Sequence, residues 1–140
     1  MRDATQVARE NVLAEYSIDE MFLGHSRGMA VATMILQEVD DRFWPAVHKG
    51  ESLFLHKLSV RRSVAKQGFS AHMIMWAEKE AITRQKRFLR LDCAANRPRL
   101  CLFYESLGFV KVKEELMGKY PTAFYEVEVG VDDNDTLQLK

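Results

Sequence analysis

Between Val60 and Ala71 the chain reads R-R-S-V-A-K-Q-G-F-S. One glycine and three cationic side chains stand between a run of apolar β-formers and a run of helix-formers. A strand that turns through glycine into a helix gathers unengaged backbone N–H groups at one point, and the helix N-terminus adds roughly half a positive charge there. Glycine also lets a ligand approach the main chain with no side chain between. Arg62 and Lys66 supply full charges. The pattern suits an anion, and a diphosphate in particular. It is neither GxxxxGK[ST] nor GxGxxG, which argues against the nucleotide folds those motifs mark. For the loop alone, an ordinary strand-to-helix turn explains the glycine as well as an anion site does.

Four further groups have chemistry to offer. Asn96 precedes Pro98 by two residues and reads as a helix N-cap. Tyr104 falls one residue off the stripe Leu100, Phe103 and Leu107, so it is either a core tyrosine or a side chain with a hydroxyl to use. His56 stands in a strand, where a histidine is packed and hydrogen-bonded or serves as a base. Asp40, Asp41, Phe43 and Trp44 share one loop, and acids beside aromatics suit a cationic amine; a plain surface loop has such residues too. His25, His48 and His72 show no metal-ligand spacing with the cysteines or carboxylates, and no metal is expected. Cys93 and Cys101 form no CxxC and no disulfide framework, so they are expected as reduced, structural thiols.

These side chains need elements to hold them. Residues 4–16 are helix-prone. "MFLGHSRGMAVATMILQE" reads as a hairpin, with strands near 20–25 and 29–38 about a turn at Ser26-Arg27-Gly28. Residues 39–50 form a loop punctuated by Pro45 and Gly50. Residues 51–60 are apolar on both faces, as in a buried central strand. A helix follows over 69–84, with Phe69, Met73, Trp76, Ala77 and Ala81 on its inner stripe. Trp76 and the methionines read as core. Next come a strand at 88–92, a helix closed by Gly108 in the left-handed C′ position, and strands in "FVKVKEEL" and "AFYEVEVGV". Residues 132–140 are a polar, acidic tail. Helix, three strands, helix, strand, helix, two strands is a mixed α/β (or α+β) order, with one sheet covered by helices. Residues 1–131 are expected to form a single domain.

Composition bounds the function classes. The chain has 140 residues, 47% hydrophobic and 29% charged, with no net charge. No apolar run approaches the roughly 18 residues of a membrane span, and the first residues lack a signal peptide's apolar stretch, so a cytoplasmic location and no membrane contact are expected. The neutral total hides an uneven distribution. Residues 57–99 carry eleven Lys/Arg against three Asp/Glu, whereas residues 1–56 carry five against nine and residues 100–140 four against eight. The middle segment is a local field for an anion, or else a solvated face. Its cations lack the interleaved aromatics of a nucleic-acid surface, and no nucleic-acid partner is expected.

Taken together, "LHKLSV", "AKQGFS", "MIMWAEKEA", "LRLD", Asn96 and "FYESLGFVKV" resemble the core of the GNAT superfamily of acyl-CoA N-acyltransferases. The resemblance covers residues 51–112 and, loosely, the hairpin from Met21. It implies a mixed central sheet with flanking helices and acetyl-CoA as cosubstrate, and it names the anion as the coenzyme A pyrophosphate. The family's loop, Arg/Gln-x-x-Gly-x-Gly/Ala, falls on Ala65, Lys66, Gln67, Gly68, Phe69 and Ser70. Gly68 matches; Ala65 and Ser70 depart, which main-chain binding tolerates. Pantetheine is expected to pair along Leu58, Ser59 and Val60 like an added strand, and Asn96 to hydrogen-bond the cofactor arm. Tyr104 is expected to protonate the departing thiolate, with a backbone N–H near Leu58 polarising the carbonyl. The base is expected in His56 or Glu51, the acceptor being a primary amine on a small molecule or peptide. The family carries more chain before the hairpin than the twenty or so residues here. That shortened N-terminus suggests an acceptor wall completed by another subunit, hence a homodimer. It also leaves open a GNAT-like domain that binds acyl-CoA or a protein partner without efficient catalysis.

Overall fold

The computed structural model describes residues 17–130; the helix expected over 4–16 and the acidic tail lie outside the described residues. Strands β1 (Met21–Ser26) and β2 (Met29–Gln37) form the hairpin, and β3 (Ser52–Val60) follows the long loop. Helix α1 (Phe69–Thr83), strand β4 (Phe88–Ala94), helix α2 (Pro98–Ser106), and strands β5 (Val110–Met117) and β6 (Tyr120–Glu128) complete the order. The six strands form one sheet in the order β1-β2-β3-β4-β6-β5. Only β3 and β4 run parallel; every other pair is antiparallel.

Local chemistry explains the joints. Arg27 and Gly28 both take positive φ, 53° and 79°, as a two-residue hairpin turn that follows strand twist requires. α1 is rich in Ala, Met, Glu and Lys, all good helix formers, and stops where Gln85 turns left-handed at φ 61°. Gly108, at φ 93°, closes α2 as its position predicts. Edge strand β5 is solvent-facing along most of its length. Lys111, Lys113, Glu114 and Glu115 keep that edge soluble.

The sheet has two covered faces. On one, Leu53, Leu55, Leu89, Leu91 and Tyr125 pack with Met73, Ile74, Ala77 and Ala81 of α1 and with Cys101 and Tyr104 of α2. On the other, the 39–50 loop lays Trp44 over Phe54 and Phe124, meeting Phe124 edge-on at 5.3 Å. Beneath it Arg90, 6% exposed, bonds Ser52 and Glu126. A buried charge persists only when paired this way.

In α1, Met73, Ala77 and Ala81 are buried as expected and Phe69 packs at the margin, but one position differs, and the α2 stripe is rotated. Trp76 is 43% exposed, and Ile74 takes its place in the core. The indole instead tilts against Phe22 of β1 at 5.0 Å. Met75 is likewise exposed, while Met73 and Met34 are core. In α2 the buried pair is Cys101 and Tyr104, with Leu100, Phe103 and Leu107 packed at its margins. Asn96 is not the cap: Arg97 holds that position, without a side-chain hydrogen bond.

Candidate active site at the splayed strands

β3 and β4 pair at only three positions, Ser52–Phe88, Leu53–Leu89 and Phe54–Arg90. Beyond them the strands part, although β3 continues to Val60 and β4 to Ala94. β3 also bulges: His56 opposes Ile35 and Ser59 opposes Thr33, so Lys57 and Leu58 face one residue of β2. Lys57 absorbs the irregularity at φ 55°. The bulge turns β3 aside and frees the β4-facing main chain of Leu58, Ser59 and Val60. That opening is flanked by two extended edges, as a strand-like ligand arm requires.

At the end of β3 a 3-10 turn, Arg62–Val64, leads into the glycine loop. Lys66 and Gly68 are both left-handed, at 65° and 84°. The first helical bond of α1 runs from the His72 N–H to the Gly68 carbonyl, so the N–H groups of Phe69, Ser70 and Ala71 remain outside the helix ladder. A Cβ built on Gly68 would meet nothing within 4 Å: the space above the loop is open. Ala65, Lys66 and Gln67 are exposed around it, with Arg61 and Arg62. This cradle and the splayed edges fit a diphosphate carrying an extended arm.

Tyr104 is 7% exposed, held among Phe103, Phe109 and Tyr125 at ring separations of 5.4, 5.9 and 6.2 Å. Among the described residues its hydroxyl has no hydrogen-bond partner. Burial first, then the nearby Cys93 and Asp92, pushes its pKa up to about 12, which keeps the phenol protonated at neutral pH. A proton donor must be in that state. Asn96 is exposed in the turn after β4, beside a cleft it lines with Asp92, Cys93, Phe43 and Tyr120.

The opposite sheet face brings together a group that no local spacing reveals. His56 from β3, Asp92 from β4 and Asp40 from the 39–50 loop each place one donor atom within 4.8 Å of the others. His56 Nε2 lies 3.4 Å from Asp40 Oδ2, and the Asp40 side chain is 7% exposed. Asp40 is pinned by its own turn: Oδ1 accepts from the Phe43 N–H, and its carbonyl from the Trp44 N–H. The buried second oxygens of Asp40 and Asp92 accept no hydrogen bond. Burial, then the Asp40 charge, raises Asp92 to about 6, against a pull from Lys57. Burial lowers His56, opposed mainly by Asp40. The set pairs two carboxylates with one imidazole, largely out of contact with solvent.

The chain matches the acetyltransferase (GNAT) family model over residues 5–109. The chain belongs to the GNAT family of acetyltransferases. It is 33% identical over 103 residues to the uncharacterized N-acetyltransferase YesJ of Bacillus subtilis, over 71% of this chain and 54% of that protein. It thus spans about half the length of that relative. A GNAT acetyltransferase from Listeria monocytogenes superposes with a TM-score of 0.70 at 22% identity, over 91% of this chain and 77% of that one. One from Elizabethkingia anophelis, solved with acetyl-CoA bound, superposes with a TM-score of 0.67 at 10% identity, over 86% and 83%.

Against the GNAT loop pattern, Gly68 keeps the glycine position, and Ala65 and Ser70 lie in the exposed turn and first helical turn around it. Leu58, Ser59, Val60 and the 65–70 loop fall along one continuous path, and Tyr104 belongs to the neighbouring helix. Glu51 falls away from the site. It sits at the opposite end of β3, 3.7 Å from Arg90, where it serves the buried ion pairs. Asp92 went unnoticed in the sequence; its signal was a charge amid the apolar strand "FLRLDCA".

Proposed function

We propose that this chain is an N-acetyltransferase that passes the acetyl group of acetyl-CoA directly to a primary amine. The parting of β3 and β4 above the glycine loop carries this reading. It leaves main-chain edges for an extended arm, and unengaged N–H groups and cationic side chains for its pyrophosphate. In this reading the loop 65–70 holds the diphosphate and Leu58 to Val60 pair with the arm. Asn96 hydrogen-bonds it from the far wall. Acetyl-CoA supplies an activated thioester. A backbone N–H near Leu58 polarises the carbonyl, His56 relieves the incoming amine of a proton, and Tyr104 delivers a proton to the sulfur that leaves. His56 suits its part because burial keeps it neutral near pH 7.

Coenzyme A that binds only the folded chain stabilises it by about 2.7 kcal/mol at a hundredfold excess over Kd. A melt with millimolar coenzyme A should therefore rise by several degrees, while ATP and NAD leave it in place. A melt that ignores coenzyme A sinks the reading. Thiol release from acetyl-CoA in the presence of amines separates a transferase from a domain that only binds.

A further inference from the structure

The cluster of Asp40, His56 and Asp92 has more negative charge than a proton acceptor alone requires. Asp92 Oδ2 is buried without a hydrogen bond, and Asp40 Oδ2 has His56 Nε2 at 3.4 Å but no hydrogen bond; a buried carboxylate oxygen left this way is costly unless a donor arrives. Asp92 belongs also to the wall of a cleft of about 300 Å³, whose other walls include Phe43, Met117, Tyr120 and Thr122. Asp92 thus opens onto a cleft whose walls include aromatic and apolar side chains, and it keeps a donor atom of Asp40 within 4.8 Å. At its rim the Arg42 guanidinium stacks over Phe43 at 5.3 Å.

We propose that Asp40 and Asp92 are the specificity-determining residues for the acceptor: together they seat a primary ammonium on an apolar or aromatic carbon chain that bears no carboxylate beside the amine. This rests on the transferase reading above. The ammonium supplies the donor that Asp92 Oδ2 lacks and a second one to Asp40 Oδ2 beside His56, and its carbon chain lies against Phe43 and Tyr120, where ring faces also favour a cation. A carboxylate on the adjoining carbon would face two like charges at close range. A second cation farther along the chain would meet Arg42. The class is therefore an arylalkyl or alkyl monoamine, rather than an α-amino acid or a polyamine.

The protons balance. The seated ammonium gives one proton to His56, Asp40 stabilises the imidazolium, and a neutral amine remains. Its lone pair forms the C–N bond, the C–S electron pair departs to sulfur, and the sulfur takes the Tyr104 proton. The nitrogen loses a second proton as the amide forms, which restores Tyr104 through solvent. The proton on His56 is the one released overall.

Titration calorimetry of phenethylamine into the full chain saturated with coenzyme A tests the site without turnover. Phenethylamine should bind, and phenylalanine and spermidine should bind about tenfold or more weakly. Asp92→Asn and Asp40→Asn should each weaken phenethylamine by about tenfold to a thousandfold, as loss of one partner of a buried charge pair does. Coenzyme A affinity should stay within about twofold, which also shows that the variants fold; Asp92→Glu should recover part of the loss. Equal binding of phenethylamine by the unsubstituted chain and both Asn variants overturns the proposal, as does phenylalanine binding as well as phenethylamine. Binding of zinc ions at the cluster with no amine binding overturns it too. An unsubstituted chain that fails to bind coenzyme A brings down the transferase reading itself. Intact coenzyme A binding with no amine preference brings down this proposal alone.

Discussion

The two halves of the site are built from different materials. The side expected to hold acetyl-CoA is made of main chain: the edge of β3, a glycine at positive φ and the first turn of α1. It is open, cationic, and contiguous in sequence from Leu58 to Ser70. The opposite side is made of side chains drawn from β3, β4 and the 39–50 loop. It is buried, anionic, and assembled only by folding. A main-chain site tolerates substitution, since Ala65 and Ser70 depart from the family pattern without removing an N–H. A side-chain site changes its ligand with one residue. Family members can thus keep a cofactor and exchange acceptors.

Tyr104, the proton donor of the proposed reaction, should give the largest effect. Tyr104→Phe is expected to lower turnover by about 10²–10⁴ with coenzyme A affinity intact. Its hydroxyl bonds nothing in the described residues, so the melting temperature should barely move. Unchanged turnover would remove the phenol from the chemistry and leave a core ring. Next comes Trp44→Ala, expected to cost about 3–5 kcal/mol, as large core truncations do. Because Trp44 anchors the loop that pins Asp40, acceptor binding should fail in the folded fraction while coenzyme A still binds. A variant that loses both ligands together would show that the halves are not separable.

The sequence revealed the halves unequally. The succession of strands and helices, the hairpin turn at Arg27-Gly28, the glycine loop and the stop at Gly108 were legible, because each follows from residues adjacent along the chain. The α2 stripe came out one position rotated, and in α1 Ile74 took the place of Trp76 while Met73, Ala77 and Ala81 were buried as expected. Apolar residues surround Trp76 and Tyr104 closely enough to permit two faces, and only docking on the sheet chooses. Asn96 has the chemistry of a cap, but the chain enters α2 one residue later, at Arg97. His56 was visible as a lone histidine. That it faces Asp92 and Asp40 depends on pairing between distant strands and on a loop folded back over Phe54.

Two smaller effects sharpen the contrast. Asp92 is raised to about 6, from 3.8, so the folded state holds its proton where the unfolded chain has lost it. Its contribution favours folding below about pH 4, and it declines as pH rises toward 6 and above. Asp92→Asn should therefore stabilise the free protein by about 1–3 kcal/mol at pH 7.5, a gain that disappears near pH 4. Paired melts at the two pH values decide this; a variant less stable at pH 7.5 would mean that the carboxylate is already satisfied. Gly68→Ala should cost about 1 kcal/mol, the ordinary penalty of left-handed φ on an L-residue. With no atom near the added methyl, any loss of coenzyme A affinity in the folded variant reports a ligand seated against the glycine. Normal affinity would leave Gly68 as a turn.

The three-rung contact between β3 and β4 also has a mechanical consequence. It divides the sheet into β1-β2-β3 and β4-β6-β5, clasped by α1 on one face and by Trp44 on the other. A seam so short is where the structure breathes most cheaply, and amide hydrogen exchange should be fastest for the β4-facing groups near Leu58 and Val60. An arm laid between the strands replaces the missing rungs. Deuterium uptake in both half-sheets should then slow together, as two flaps of one envelope stiffen once a letter is inside.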